Sequence, residues 1–176
     1  MAENVFEVDN LSLYYLGRFG DKTHAVTNVS FSMKQGEILG IVGPSGCGKT
    51  SLVRSLGGFI NPDEGDIYIN DNLVYSKKKR VNRPPETRRL GIVFQDYAVW
   101  PHLSVYDNVA YPLKKRKIPK ADIDKLTRQA LEQVRMTGYE KHMPAQLSGG
   151  QQQRVAIARA LTSSSDVIIM DEPITN

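Results

Sequence analysis

Cysteine is nearly absent: Cys47 stands alone among 176 residues. One thiol excludes an internal disulfide framework and fits a reducing compartment. Long hydrophobic runs are missing too. The longest apolar stretches, around Ile38 to Val42 and Val167 to Met170, have strand length, far short of the roughly 20 residues a spanning helix needs. The amino terminus, MAENVFEVDN, has no basic start followed by an apolar run, so no secretory leader is expected. There is no internal repeat and no low-complexity tract, which removes solenoid and linker classes. Any connection to a membrane is therefore expected to run through a partner.

What is present suits one globular domain with a core: 40% of residues are hydrophobic and 24% charged. The net charge of +4 comes largely from two patches, Lys77 to Arg89 and Lys114 to Lys120. Neither carries the interleaved aromatics on which a single-strand binder stacks bases. They read as a solvated loop and a charged helix face, with no nucleic-acid partner.

Along the chain, Val5 to Tyr15 and Asn28 to Met33 alternate and predict strands. Gly36 turns the chain into Glu37 to Val42, an apolar run that predicts a buried parallel strand. A glycine-rich loop follows, then a helix over Thr50 to Leu56. Asn61 to Gly65 reads as a turn before a strand over Asp66 to Asn70, and Leu90 to Phe94 predicts another strand. Helical patterns fill the stretch after Asp96, between prolines at 101, 112, 119 and 144. The clearest is Ala121 to Val134, with Ile123, Leu126, Ala130, Leu131 and Val134 as its apolar stripe. Val155 to Leu161 presents Val155, Ala158 and Leu161 on one face, and Val167 to Met170 predicts a buried strand. The class is α/β with a helical insertion: residues 1–95 and 165–176 form the α/β core of one domain, and 96–164 are mainly helical.

Three constellations carry chemistry. The first is Gly43-Pro44-Ser45-Gly46-Cys47-Gly48-Lys49-Thr50, which fits G-x-x-x-x-G-K-[ST] between an apolar run and a helix pattern. Glycines let backbone N–H groups curl around a phosphate, and the helix start adds partial positive charge. Lys49 supplies a full charge for the β- and γ-phosphates, the Thr50 hydroxyl suits Mg²⁺, and Ser51 completes the nucleotide-binding set. Cys47 reads as a small residue tolerated in the loop rather than a redox centre.

The second is Val167-Ile168-Ile169-Met170-Asp171-Glu172, two carboxylates just past a strand. Ligands in open parallel sheets sit at the carboxyl ends of strands, so both acids are expected to face the phosphate loop. Asp171 is placed to hold Mg²⁺, directly or through water, and Glu172 to take a proton from attacking water. The third is Leu147-Ser148-Gly149-Gly150-Gln151, followed by Gln152-Gln153-Arg154. Ser148 suits a helix cap, and the glycines expose N–H groups at a positive helix end, a second anion site.

GPSGCGKT, the glutamine of VFQD (Gln95), LSGGQQQR and IIMDEP, in this order and spacing, resemble an ATP-binding cassette of the ABC transporter family over essentially the whole chain. The resemblance implies a P-loop NTPase (RecA-like) core with amino-terminal antiparallel strands and an inserted helical subdomain. It implies a head-to-tail dimer with a second cassette, in which Ser148 and Gly150 contact the γ-phosphate held by the partner. Gln95 takes the family's Q-loop role, sensing Mg²⁺ and the attacking water. Tyr15 matches the aromatic that stacks on adenine, with Tyr14 as the alternative. Transmembrane permease subunits dock on the helical subdomain at the cytoplasmic face of the membrane, and the aromatics of Asp96 to His102 are expected to help form that groove. Tyr139 to Gln146 resembles the importer pattern, which adds an extracytoplasmic solute-binding protein.

Where the sequence departs from the family, the chain stops after Asp171-Glu172-Pro173-Ile174-Thr175-Asn176. The rest of the family's D-loop, its switch histidine and a carboxyl-terminal regulatory domain lie beyond these residues. None of His24, His102 and His142 falls at the switch position. The expectation is an incomplete cassette whose fragment alone is nearly inactive. Rival readings are weaker. Cassettes of DNA repair separate the phosphate loop from the signature by a long coiled coil, and no sustained heptads occur here. Translation-associated cassettes carry two copies in one chain. A scaffold without hydrolysis is disfavoured by Glu172 for the parent sequence and stays open for the fragment itself.

Overall fold

A computed structural model describes residues 4–17 and 21–173. The chain divides into two compact units, Met1–Arg88 and Arg89–Asn176.

In the first unit, β1 (Asn4–Leu16) and β2 (Lys22–Lys34) form a long antiparallel pair, and β3 (Glu64–Ile69), β4 (Asn72–Ser76) and β5 (Val81–Asn82) extend it in the order β2-β1-β3-β4-β5. Val8, Leu11 and Leu13 of β1 are buried together with Ile67 and Ile69 of β3 and Val74 of β4. The β1–β2 register shifts between Val8 and Leu11. There Asn10 takes φ 51° and its N–H finds Ser30 Oγ at 2.8 Å, the left-handed bulge that asparagine tolerates. Asn70 and Asp71 both have positive φ, at 46° and 58°, and close a two-residue hairpin between β3 and β4.

Helix α1 (Lys49–Gly57) buries Leu52, Val53 and Leu56. Its carboxyl end is held by Arg88, only 1% exposed. The Arg88 guanidinium donates to Ser55 O at 3.1 Å and Leu56 O at 2.9 Å, to Arg83 O at 2.8 Å and to Asn82 Oδ1 at 3.2 Å. A cation at the negative end of a helix is favourable, and here it gives Leu56 O a donor and adds a second to Ser55 O, which also accepts from Gly58 N–H. Burial lowers the Arg88 pKa from the ordinary arginine value, with Tyr75 opposing.

One expectation fails in this unit. Glu37 to Val42, predicted as a buried parallel strand, belongs to no strand. Ile38 is 99% and Val42 94% exposed. The run has no ladder partner among the described residues, and an apolar segment without a ladder cannot bury its backbone polar groups. With Val29 and Phe31 of β2, Leu39, Ile41 and Val42 instead line an open cavity of about 590 Å³.

In the second unit, β6 (Leu90–Val93) and β7 (Val167–Met170) pair in parallel, Leu90 opposite Val167 and Val93 opposite Met170. Helices α2 (Val105–Lys115), α3 (Lys120–Gln133) and α4 (Gly149–Thr162) pack around Val105, Val109, Leu131, Met136, Val155 and Ala158. Two stripe positions read from the sequence lie outside: Leu126 is 39% and Leu161 42% exposed, while Thr127 of α3 is fully buried. Met170, expected in a buried strand, is 39% exposed. Ser104 caps α2 by accepting from Asp107 N–H. Asn108, fully buried, pins the preceding loop: its amide donates to Trp100 O, Leu103 O and Ser104 O, and its Oδ1 accepts from Trp100 N–H.

Replacing Arg88 by Met keeps the stem and removes every donor, leaving buried carbonyls unsatisfied. Urea denaturation should show a loss of about 3 kcal/mol, and a loss below about 1 kcal/mol would show that the helix end does not depend on the guanidinium.

Candidate nucleotide site

The first unit carries the glycine-rich loop. Gly48 caps α1 in the left-handed region, φ 96°, and Gly46 has φ 79°. A Cβ on Gly48 would lie 1.9 Å from the carbonyl oxygen of Ala25 in β2. Both the dihedral and the close approach therefore demand glycine there. No side chain caps α1, and the positive end of the helix dipole lies at the glycine-rich loop.

Lys49 curls back over the loop: its Nζ donates to Gly43 O at 2.7 Å and Pro44 O at 2.9 Å and lies 3.8 Å from Cys47 Sγ. The ammonium is thus held by weak neutral acceptors of the loop itself, which a phosphate oxygen can replace at a gain. Pro44 O also accepts from Cys47 N–H at 3.3 Å, closing the turn that contains Ser45. Thr50 and Ser51 fall in the first turn of α1.

The structure separates the two adenine candidates. Tyr14 is occupied, edge-on to His24 at 4.6 Å with Lys22 Nζ 5.4 Å from its ring. Tyr15 is 45% exposed, and its hydroxyl pairs with Ser51 Oγ at 3.1 Å. A tyrosine buried in a strand is not what stands at position 15.

In the second unit, strand register brings two candidates together. Because Val93 lies opposite Met170 in a parallel pair, residues two steps beyond each strand end are neighbours. Gln95 Nε2 donates to Glu172 Oε2 at 2.7 Å. Asp171 N–H donates to Val93 O at 2.9 Å, extending the ladder, and Asp171 is 6% exposed. Glu172 has φ 51°, a left-handed conformation costly for a non-glycine residue and concentrated at functional sites.

Ser148 begins α4 with a reciprocal cap: its Oγ accepts from Gln151 N–H at 3.3 Å while Gln151 Oε1 accepts from Ser148 N–H at 2.9 Å. The serine hydroxyl thereby acts as an acceptor and keeps its own hydrogen to donate. Gly149 and Gly150 occupy the first helical turn. Further along α4, Gln153 Nε2 donates to Pro173 O at 2.6 Å, and Arg159 donates to the carbonyls of Ala98 and Tyr97. Sequence reading missed both roles, because a glutamine or an arginine inside a helix gives no sign of a loop carbonyl as its partner. Trp100, expected to line a docking groove, is half-buried against Arg159 and Tyr111.

The donor set for a cation is all oxygen. In the second unit the Asp171 carboxylate and the Gln95 carbonyl, whose amide is turned by its bond to Glu172, are oxygen donors of the kind Mg²⁺ takes. Such an ion is bound by one or two carboxylates together with substrate phosphates.

A glycine-bounded phosphate loop opening an uncapped helix, with a carboxylate pair past a parallel strand, defines a P-loop nucleotide-binding protein. The ABC transporter family profile matches residues 26–175. The chain belongs to the ABC transporter family. It is 46% identical over 158 residues to the trehalose/maltose import ATP-binding protein MalK of Thermococcus litoralis, covering 90% of this chain and 42% of that protein. It is 48% identical over 175 residues to the spermidine/putrescine import ATP-binding protein PotA of Pseudomonas aeruginosa, covering 99% of this chain and 45% of the relative. The chain thus spans less than half the length of these curated relatives. Among solved structures, the dimeric cassette MJ0796, a bacterial ABC transporter cassette, superposes with TM-score 0.82 at 32% identity, over 96% of this chain and 74% of that one. Its post-hydrolysis dimer bound to ADP and phosphate gives TM-score 0.81 at 32% identity, over 96% and 74% of the two chains.

Gly48→Ala places a methyl group against the Ala25 backbone and strains φ. Thermal or urea unfolding should register about 3 kcal/mol of destabilisation; unchanged stability would mean that the turn yields without cost.

Proposed function

We propose that this chain is the ATP-binding and ATP-hydrolysing part of an ABC importer subunit, active as a head-to-tail dimer with a second cassette. The observation that carries this is the contrast between two glycine-bearing helix starts. The α1 start is uncapped and carries Lys49 over its loop, whereas the α4 start is capped by Ser148, whose hydroxyl keeps a hydrogen to donate. The first suits phosphates wrapped in the same chain. The second suits a γ-phosphate presented by a partner.

In this reading Gly43 to Thr50 and Ser51 bind the ATP phosphates, with Lys49 neutralising the β- and γ-oxygens, and Tyr15 stacks on adenine. Thr50, Asp171 and Gln95 are the residues that would hold Mg²⁺, which supplies charge neutralisation between the β- and γ-phosphates when bound. Glu172 accepts a proton from water as its oxygen attacks the γ-phosphorus. The bond from that phosphorus to the bridging oxygen breaks, and ADP leaves with the electron pair. Gln95, hydrogen-bonded to Glu172, orients the base. Ser148, Gly149, Gly150 and Gln151 form the signature end that meets the partner's nucleotide. ATP bridging two cassettes favours the closed dimer by its differential affinity, and hydrolysis releases it.

Import is supported by the names of the relatives and by the Tyr139 to Gln146 segment. No described helix is long and apolar enough to cross a membrane. In this reading transport engages permease subunits, with this subunit peripheral on the cytoplasmic face and an extracytoplasmic solute-binding protein delivering the solute.

The test uses the full-length subunit. Glu172→Gln should reduce Mg²⁺-dependent ATP hydrolysis at least about 100-fold, the scale of a lost general base, while ATP affinity stays within about twofold. Wild-type-like hydrolysis in that variant contradicts the assignment of the base.

A further inference from the structure

The loop that follows Gln95 is strained, and a side chain of α4 grips its two strained carbonyls. Tyr97 and Ala98 are consecutive non-glycine residues with positive φ, 59° and 44°. Left-handed conformations persist at such residues only when the surroundings enforce them. The backbone supplies little enforcement, a turn bond from Tyr97 N–H to Phe94 O and one from Ala98 N–H to Asp96 O.

More comes from the packing of Tyr97 against Val93, Ala156 and Ala160, and from Arg159, near the carboxyl end of α4. Its Nη1 donates to Ala98 O at 2.8 Å and its Nη2 to Tyr97 O at 3.2 Å. Its guanidinium carbon lies 4.5 Å from the centre of the Trp100 ring, and Trp100 packs at 4.6 Å on Tyr111 of α2. No carboxylate forms an ion pair with Arg159 among the described residues. A half-buried cation without a counter-charge is expensive unless its hydrogen bonds and ring contact are needed. Only the planar fork of arginine reaches two successive carbonyls while lying flat on an indole; lysine does not.

The clamped turn stands between two functional points of the same unit. Two residues before it, Gln95 holds Glu172. Beside it, the Tyr97 ring lies at the start of α4, where a Cβ on Gly149 would come 3.9 Å from Tyr97 Cε2. Arg159 therefore ties the loop to the same helix whose amino end is the signature.

We propose that Arg159 is a positioning residue for hydrolysis: by clamping the left-handed Tyr97–Ala98 turn from α4, it sets Gln95 against Glu172 and makes that contact follow the placement of the signature helix. The role rests on the hydrolytic function proposed above. Trp100, the only tryptophan among these 176 residues, reports the clamp by fluorescence, its share of the full-length subunit's emission taken as the difference from Trp100→Phe.

The experiment compares wild type, Arg159→Met, Arg159→Lys and the double variant Arg159→Met with Ala98→Gly in the full-length subunit. Readouts are ATP affinity, kcat, Trp100 emission and amide hydrogen exchange across residues 94–99. Arg159→Met should lower kcat about tenfold or more, the scale of a small misplacement, with ATP affinity within about twofold. Its Trp100 emission should shift to longer wavelength, and exchange across 94–99 should accelerate. Arg159→Lys should fall between it and wild type. Glycine adopts positive φ without enforcement, so Ala98→Gly should restore much of the lost kcat in the double variant; a role confined to packing would not be rescued this way. If Arg159→Met unfolds, Arg159→Lys carries the same readouts. Wild-type kcat in the single variants, or a double variant no better than Arg159→Met, overturns the proposal. A wild-type subunit that fails to bind ATP overturns the functional reading itself, which separates the two failures.

Discussion

The tight approach of Gly48 to the Ala25 carbonyl fixes where α1 begins, and the phosphate site is built from that start. Only a glycine satisfies φ 96° with a backbone oxygen where its Cβ would be. No side chain caps the helix start so fixed, and the positive end of the helix dipole lies at the glycine-rich loop. Lys49, the first residue of the helix, returns over the loop to Gly43 O and Pro44 O. Arg88 secures the opposite end of the same helix. One short helix is thus tied at both termini to backbone groups of its own unit, so that its dipole stays where the phosphates need it.

The second unit obeys a different constraint, parallel register. Pairing Val93 with Met170 brings the backbone at Gln95 and Glu172 side by side, and their side chains meet across that register. Helix α4 touches the products of that register at both sides, through Gln153 to Pro173 and through Arg159 to the turn after Gln95. The proposed cassette function gives this arrangement a use, because the helix that would meet a partner's nucleotide is also the one that supports the residues around its own base.

Periodicity and motif spacing made much of this legible before any coordinates. The strands at Val5 to Tyr15 and Val167 to Met170, the helix over Ala121 to Val134 and the cap at Ser148 all follow from residue order. The Asn70-Asp71 hairpin also had a signal, two turn-forming residues between β-rich runs, and passed unread. Glu37 to Val42 misled for a physical reason: an apolar run specifies burial, whereas a strand also needs a neighbour to pair with, and none is present among the described residues. The positive φ values at Tyr97, Ala98 and Glu172 were invisible, because ordinary side chains there announce no strain. Arg159 was hidden likewise, since its partners are carbonyls, which every residue carries.

In the proposed function the loop of Gly43 to Thr50 is a triphosphate site whose charge comes from Lys49. Calorimetric titration of the protein with ATP and Mg²⁺ tests it most directly, beside the same titration of Lys49→Ala. The account predicts saturable binding by the wild-type protein, weakened at least about tenfold by loss of one charge-assisted contact. Equal affinity in the two proteins would contradict it.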